Sequence, residues 1–306
     1  METKNGWKAW IYLAPALLLL AVFTFYPLVN TFGISFINGY KLSKPQGSFG
    51  IQNYTMIILK NQQFLEALRN TFIIAFVTVP ISTILALLIA VGLNSIKPLR
   101  AFLQTIYFLP YVTNSIAIGM VFSMIFTVNS PNASLDPNVV NSYGLFNQLL
   151  GVFGIKPQMW ISTNASLFNK MFVLCFYIIW NALPFKIMIL LGALQSVNQQ
   201  YYNAAKIDGA SRFKIFRKIT VPLISPMLLY VVVTGFIGSF KEYSSVVGIF
   251  GESLKDYHMN TMVGLIYDSL SEVWTGRAAA GAVVLFLIIL VFTGIQFLVS
   301  KKKVHY

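Results

Sequence analysis

The chain has 306 residues, of which 57% are hydrophobic and 10% charged, and its mean hydropathy is +0.70. A soluble domain carries about a quarter charged residues, so an ordinary water-facing surface is excluded and the bilayer is the solvent. The formal charge of +13 is no nucleic-acid footprint: the basic residues stand beside apolar runs, as the positive-inside bias places them, and not in basic stretches interleaved with aromatics.

The first apolar run, residues 10–36, follows Lys4 and Lys8. It is longer than the apolar part of a secretory signal, about 7–15 residues, and has no small-residue cleavage site, so an uncleaved helix is predicted. Further spans are predicted at 70–94, 102–128, 169–194, 221–247 and 277–299, each near the 20 or so apolar residues that cross a bilayer. The fold class expected is therefore all-α, with six transmembrane helices in a single membrane domain covering 1–306 and a core bundle over 70–299. With the N-terminus inside, the cytoplasmic pieces hold Lys4, Lys8, Lys97, Arg100, Lys206, Arg212, Lys214, Arg217, Lys218, Lys301, Lys302 and Lys303, twelve of the 22 basic residues, against only Glu2 and Asp208. Both termini are predicted to be cytoplasmic.

Between the first two spans, residues 53–69 place Tyr54, Ile57, Ile58, Phe64, Leu65 and Leu68 at near-helical spacing. A helix lying on the outer surface and a loop helix packed on the bundle are both consistent with it. The connection 130–168, rich in Asn, Ser and Pro, reads as an ordered outer loop. Cys175 is the only cysteine, so no intramolecular disulfide forms, and the distant His258 and His305 with no HExxH or Cys/His cluster give no metal site.

The stretch 195–220, between the fourth and fifth spans, carries the most information. Tyr201 to Ile207 is good helix material, Gly209 suits the left-handed end of a helix, and Ser211 suits the cap of a second one. Phe213, Ile215, Phe216 and Ile219 then form an apolar side among Arg212, Lys214, Arg217 and Lys218. Such an amphipathic hairpin outside the bilayer suits docking into a groove on another protein; a hairpin lying at the lipid headgroups is the alternative.

Asn203-Ala204-Ala205, Asp208-Gly209-Ala210, Phe213, Phe216 and Val221-Pro222 resemble the cytoplasmic "EAA" loop of binding-protein-dependent ABC importer permeases. Asn203 stands where that loop usually has Glu. WIYLAPALLLLAVFTFYPL, ALRNTFIIAFVTVPISTILALLIAVGLN, FLPYVTNSIAIGMVFSMIF and GRAAAGAVVLFLIILVFTGIQF resemble, in order, the first, second, third and last helices of the sugar-permease branch. Gly251-Glu252-Ser253 replaces its frequent Gly-Gly-Pro. The resemblance implies a multi-pass protein of the bacterial cytoplasmic membrane that imports a carbohydrate, of oligosaccharide size. It implies a second homologous permease, two ATPase subunits and an extracytoplasmic solute-binding protein as partners. No cofactor is expected in this chain, ATP and Mg belonging to the ATPase subunits, and the absence of a GxxxxGK[ST] phosphate loop agrees. The coupling residues implied are Asn203, Ala204, Ala205, Asp208, Gly209, Ala210, Phe213 and Phe216.

For the solute path, polar residues on helical faces are the candidates: Tyr111, Ser115, Gly119 and Ser123 in one stripe, with Asn114 alongside; Tyr177, Trp180 and Asn181; and Gly235, Ser239 and Glu242 in another stripe, flanked by Tyr243. Amides, carboxylates and aromatic rings suit sugar hydroxyls and flat CH faces, but small residues also let membrane helices pack closely. The function class competing with an ATP-driven importer is an ion-coupled carrier, which needs ionisable groups within its helices; only Lys186, Lys241 and Glu242 qualify. A membrane-embedded enzyme is disfavoured, since no span holds paired carboxylates or a nucleophile constellation. The topology is testable with cysteines at Ser211 and Ser253 in a Cys175→Ser background: they are expected to label from opposite sides of the membrane, and labelling of both from outside intact cells overturns it.

Overall fold

The computed structural model describes residues 6–96, 102, 105, 106, 111, 113–127 and 144–300. The predicted basic positions Lys4, Lys97, Arg100 and Lys301 to Lys303, and residues 130–143 of the 130–168 loop, lie outside them. The chain divides into two units, Met1–Leu65 with Val263–Ile288 and Glu66–Met262 with Ile289–Tyr306. Four described helices are long and apolar enough to span a bilayer: α1 (Trp10–Ser35), α3 (Phe64–Ser95), α6 (Leu167–Ser196) and α12 (Thr275–Ser300).

In the first unit, α1 leads into a two-residue antiparallel hairpin, β1 (Ile37–Asn38) with β2 (Ser48–Phe49), and then α2 (Gln52–Ile58). Buried Asn53 fastens the three together by donating to the carbonyls of Ser35, at 3.0 Å, and Ile37, at 2.8 Å. Ile57 is buried and packs where Gly281 of α12 has no Cβ; a Cβ there would lie 2.8 Å from Ile57 Cδ1. Within the 53–69 segment, residues 53–58 thus belong to a packed loop helix, while residues 64–69 are the first turns of α3, which starts six residues before the predicted span. Lys41 and Arg277 both stand over the Trp274 ring, at 4.0 and 4.2 Å, a pair of cation–π contacts that joins the hairpin to the start of α12.

The second unit continues α3 and adds α4 (Ser115–Phe126), α5 (Leu145–Val152), α6, α7 (Gln199–Ile207), α8 (Arg212–Leu223), α9 (Ser225–Phe240) and α10 (Ser244–Phe250); α11 (Met262–Ser271) precedes α12 in the chain. Tyr177, Leu174, Phe126, Val246 and Met259 form one apolar core between α4, α6 and α10. Ala86, Ala90, Leu190, Leu191, Ile224 and Val231 form a second, where α3, α6 and α9 meet. The last part of α12 joins Phe72, Phe76, Phe236 and Phe240 through Phe292, with ring centroids 4.8–5.9 Å apart along the contacts that link them. In the described part of the 130–168 loop, buried Asn147 organises the chain: its Oδ1 accepts from the Gln158 N–H and Trp160 Nε1, and its amide donates to the Gln158 carbonyl.

Two predicted spans are interrupted. The run 102–128 is interrupted at Asn114, whose extended backbone (ψ 123°) and side chain, accepting from the N–H groups of Ile116 and Ala117, cap α4. An Asn that satisfies two terminal donors favours a helix start over a helix interior, and the 12 residues of α4 rise only about 18 Å. Much of residues 102–112 lies outside the described set. The run 221–247 is broken twice. Pro226 has no N–H to give the Pro222 carbonyl; Ser225 Oγ donates to that carbonyl instead, at 2.7 Å, and α8 and α9 meet at 69°. Counted as one span, this bent pair makes a fifth. The second break, over Lys241 to Tyr243, separates α9 from α10.

The tightest helix crossing is α4 on α10, where a Cβ on Gly119 would lie 2.8 Å from Gly248 Cα. Gly119→Val is expected to destabilise the protein by about 1–3 kcal/mol through overpacking, read as a lower melting temperature in detergent. Gly192→Ala, inside α6 at a position with nothing within 4 Å, is the control that does not lower melting, since Ala favours a helix interior over Gly.

Candidate functional site

The hairpin is built as its residues dictate. Asn198 caps α7 by accepting from the Gln200 N–H. At the far end the N–H groups of Asp208, Gly209 and Ala210 donate to the carbonyls of Ala204, Lys206 and Ala205, closing the helix, and Gly209 takes φ +70°. Ser211 Oγ accepts from the Lys214 N–H and starts α8. Asn203, Ala204 and Asp208 are exposed, Ala205 is buried and Ala210 half-buried. Ile207 is 86% and Phe213 70% exposed, an unusual display of apolar surface at a hairpin tip. Phe216 turns inward and, with Ile215, Val91 and Leu194, walls a cavity of ≈ 340 Å³ between the hairpin and the ends of α3 and α6.

A second cavity, of ≈ 300 Å³, lies among α3, α6 and α9, with Tyr111 and Ser115 on its edge. Of the predicted path residues it takes in Ser115, Asn181, Ser239 and Glu242, together with Tyr111 and Gly235. Asn181 Nδ2 reaches Ser115 Oγ at 3.5 Å, and the hydroxyls of Ser239 and Thr78 lie 3.2 Å apart. Glu242 occupies the break after α9: its Oε1 accepts from the Ser245 N–H at 3.0 Å, and its carbonyl accepts from Thr261 Oγ1 at 3.0 Å. One carboxylate therefore orders the start of α10 and borders the cavity.

The other predicted path residues lie elsewhere. Asn114 is the cap of α4. Tyr177 is fully buried in the core and donates its hydroxyl proton to the Ser115 carbonyl at 2.6 Å. Trp180 packs on Phe122, centroids 5.4 Å apart, and Tyr243 packs against the core of buried residues. In the Tyr111 stripe, Gly119 serves the helix crossing, and Ser123 lines a separate polar cavity.

The cavity is also lined by Thr78, Ser82 and Phe185, which the sequence does not single out, and by Lys186, singled out only as an ionisable group within a span and not as a path residue. Lys186 is only 5% exposed; its Nζ donates to Ser82 Oγ at 2.7 Å, Thr83 Oγ1 at 3.0 Å and, more weakly, the Val79 carbonyl at 3.4 Å. Gly235 makes room for it, since a Cβ there would lie 3.3 Å from Nζ. The signal was present: an ionisable residue inside a span marks a site by default. Phe185 stacks on Tyr111, centroids 5.5 Å and planes 15° apart, giving the cavity a flat aromatic wall beside its hydroxyls and amide.

Residues 82–305 match the model of the binding-protein-dependent transport system inner membrane component. The chain belongs to this family. The match takes in the hairpin and most of the cavity wall of this inner membrane component. Among its relatives, the arabinooligosaccharides transport system permease protein AraP of Bacillus subtilis is 30% identical over 97% of this chain and 92% of that protein. The trehalose/maltose transport system permease protein MalF of Thermococcus litoralis is 28% identical over 99% and 95%. A subunit in the crystal structure of a bacterial alginate ABC transporter, in complex with an alginate pentasaccharide-bound periplasmic protein, shares the fold: its TM-score is 0.76 at 20% identity, covering 96% of this chain and 93% of that one.

The two duties of Glu242 separate by substitution. Glu242→Gln keeps an oxygen for the Ser245 N–H and is expected to retain part of the transport. Glu242→Leu removes the cap, at about 1 kcal/mol, and the polar group, and is expected to lose nearly all transport with the complex still assembled. Complex yield and uptake, measured on the same preparations, check this; normal uptake by the Leu variant removes Glu242 from the path.

Proposed function

We propose that this chain is one of two membrane-spanning subunits of an ATP-binding-cassette importer that carries a carbohydrate, of oligosaccharide size, across the bacterial cytoplasmic membrane. The observation that carries the reading is the near full-length, collinear kinship with permeases named for arabinooligosaccharide and trehalose/maltose transport. In this reading the chain crosses the membrane six times with both termini in the cytoplasm. A second permease completes the pathway, a solute-binding protein delivers the sugar from outside, and two separate ATPase subunits supply ATP, Mg and hydrolysis.

The cavity chemistry suits the solute. Sugar hydroxyls both donate and accept, and Asn181, Ser239 and Glu242 offer both complements. The flat CH face of a pyranose matches the stacked Tyr111 and Phe185. The hairpin tip suits the ATPase, because Ile207 and Phe213 stand out as apolar anchors for a groove on a partner. Asn203 in place of the usual acidic residue makes that docking more apolar and less charge-dependent.

The reconstituted complex is expected to take up labelled oligosaccharides with ATP, and this chain alone is expected to hydrolyse none; ATP turnover by the single subunit sinks the reading. Gly209 is the position that tests coupling. Its φ of +70° costs a residue with a Cβ about 1–2 kcal/mol, while nothing within 4 Å obstructs the added atom. Gly209→Val therefore acts on hairpin geometry without a clash. It is expected to insert normally, weaken ATPase attachment and abolish sugar-stimulated hydrolysis, whereas Asn203→Glu is tolerated.

A further inference from the structure

The ≈ 340 Å³ cavity behind the hairpin is not needed for docking at the hairpin tip, and its lining has a chemistry of its own. Its floor is apolar, formed by Val91, Leu194, Ile215 and Phe216, while Lys206 and Arg212 stand on its wall. The turn through Gly209 brings these two cations together from different helices. Both are exposed, and neither forms an ion pair with a described carboxylate. Arg212 is also the first residue of α8, where the helix dipole already presents positive charge; Asp208, the acid of this hairpin, is exposed and does not line the cavity, so the charge on the cavity wall itself is positive.

Depth narrows the choice of anion. Val91 and Ser95 belong to the last turns of α3, and Leu194 to the last turn of α6. Both helices are long enough to span the bilayer and end here, so the cavity opens at the level of the lipid headgroups. A free phosphate would meet the cations and leave the apolar floor uncovered. An amphiphile with a phosphodiester at the cations and glycerol and acyl carbons on the floor meets both halves. We propose that this cavity binds the headgroup of an anionic phospholipid, wedged between the hairpin and the bundle, so that lipid composition tunes how firmly the hairpin is held. The inference rests on the hairpin lying at a membrane face as set out above.

The test uses the full chain with its partners in nanodiscs of phosphatidylcholine containing photoactivatable phosphatidylglycerol, with crosslinks to residues 195–223 counted by mass spectrometry. The wild-type protein is expected to crosslink phosphatidylglycerol. Lys206→Gln combined with Arg212→Gln is expected to lose roughly fivefold per cation, about thirtyfold for the pair. Ser95→Trp, which keeps both cations and fills the cavity, is expected to lose the crosslink too, and millimolar inorganic phosphate is expected to leave the wild-type signal unchanged. Crosslinking of the charge variant at the wild-type level overturns the proposal, as does abolition of the signal by phosphate, which marks a simple anion site. Loss of ATPase attachment with crosslinking unchanged also overturns it, by assigning the cations to the ATPase. Sugar uptake is followed on the same preparations: crosslinking that behaves as expected in a complex that imports no sugar sinks the importer reading and leaves the lipid site standing.

Discussion

Hydrocarbon offers no hydrogen bonds, so each polar group carried into it must find a partner within the protein, and the internal order of this chain follows from that demand. On α3, the hydroxyls of Thr71, Ser82 and Thr83 turn back to carbonyls one turn earlier. Two of those hydroxyl oxygens then accept from Lys186, so a cation at membrane depth is held by oxygens that are themselves oriented. Ser225 answers the carbonyl that Pro226 strands. Asn147 does the same for an irregular loop, satisfying two donors and one acceptor with one side chain. A buried polar group without a partner costs several kcal/mol, which is why these arrangements are closed.

The same demand explains where the cavity forms. Polar side chains that cannot all be satisfied by backbone gather on the facing sides of α3, α6 and α9, and small residues make the space: Gly235 admits the lysine, and Gly119 and Gly248 let α4 and α10 touch backbone to backbone. Close backbone approach through small residues is the general means of holding helices together in lipid. Here it fixes the wall from which Ser115 reaches the cavity, and Glu242 at the foot of α10 anchors the other side. Holding the bundle and lining the cavity are therefore shared by the same few residues.

The hairpin was legible residue by residue because its determinants are local. A capping Asn or Ser and a glycine at positive φ act within four residues of chain, and a sequence displays them directly. The first, second, fourth and last spans were legible for a similar reason, since length and apolarity alone decide them. What escaped was decided by groups distant in sequence. Asn114 reads as a path residue because it stands beside the Tyr111–Ser115 stripe, but as a cap its side chain is spent on Ile116 and Ala117. Tyr177 sat one turn from Asn181 and yet points into the core, because its hydroxyl is satisfied by the Ser115 carbonyl 62 residues away. Lys186 was visible as a charge in a span, but its place in the wall depends on Ser82 and Thr83 about a hundred residues earlier.

The elbow at Ile224 has a mechanical consequence. Because α8 and α9 meet at 69°, a force directed along the outer arm does not travel down the inner one; it applies a torque about the joint. The inner arm, α9, has 16 residues and so measures about 24 Å. A rotation of about 5° at the elbow sweeps its far end sideways by about 2 Å, from the same rise per residue. That far end is where Ser239 and Glu242 sit. A hinge at this elbow would act as a bell crank, turning a small displacement of the outer arm into a lateral one at the level of the cavity, its ratio set by the length of a single helix.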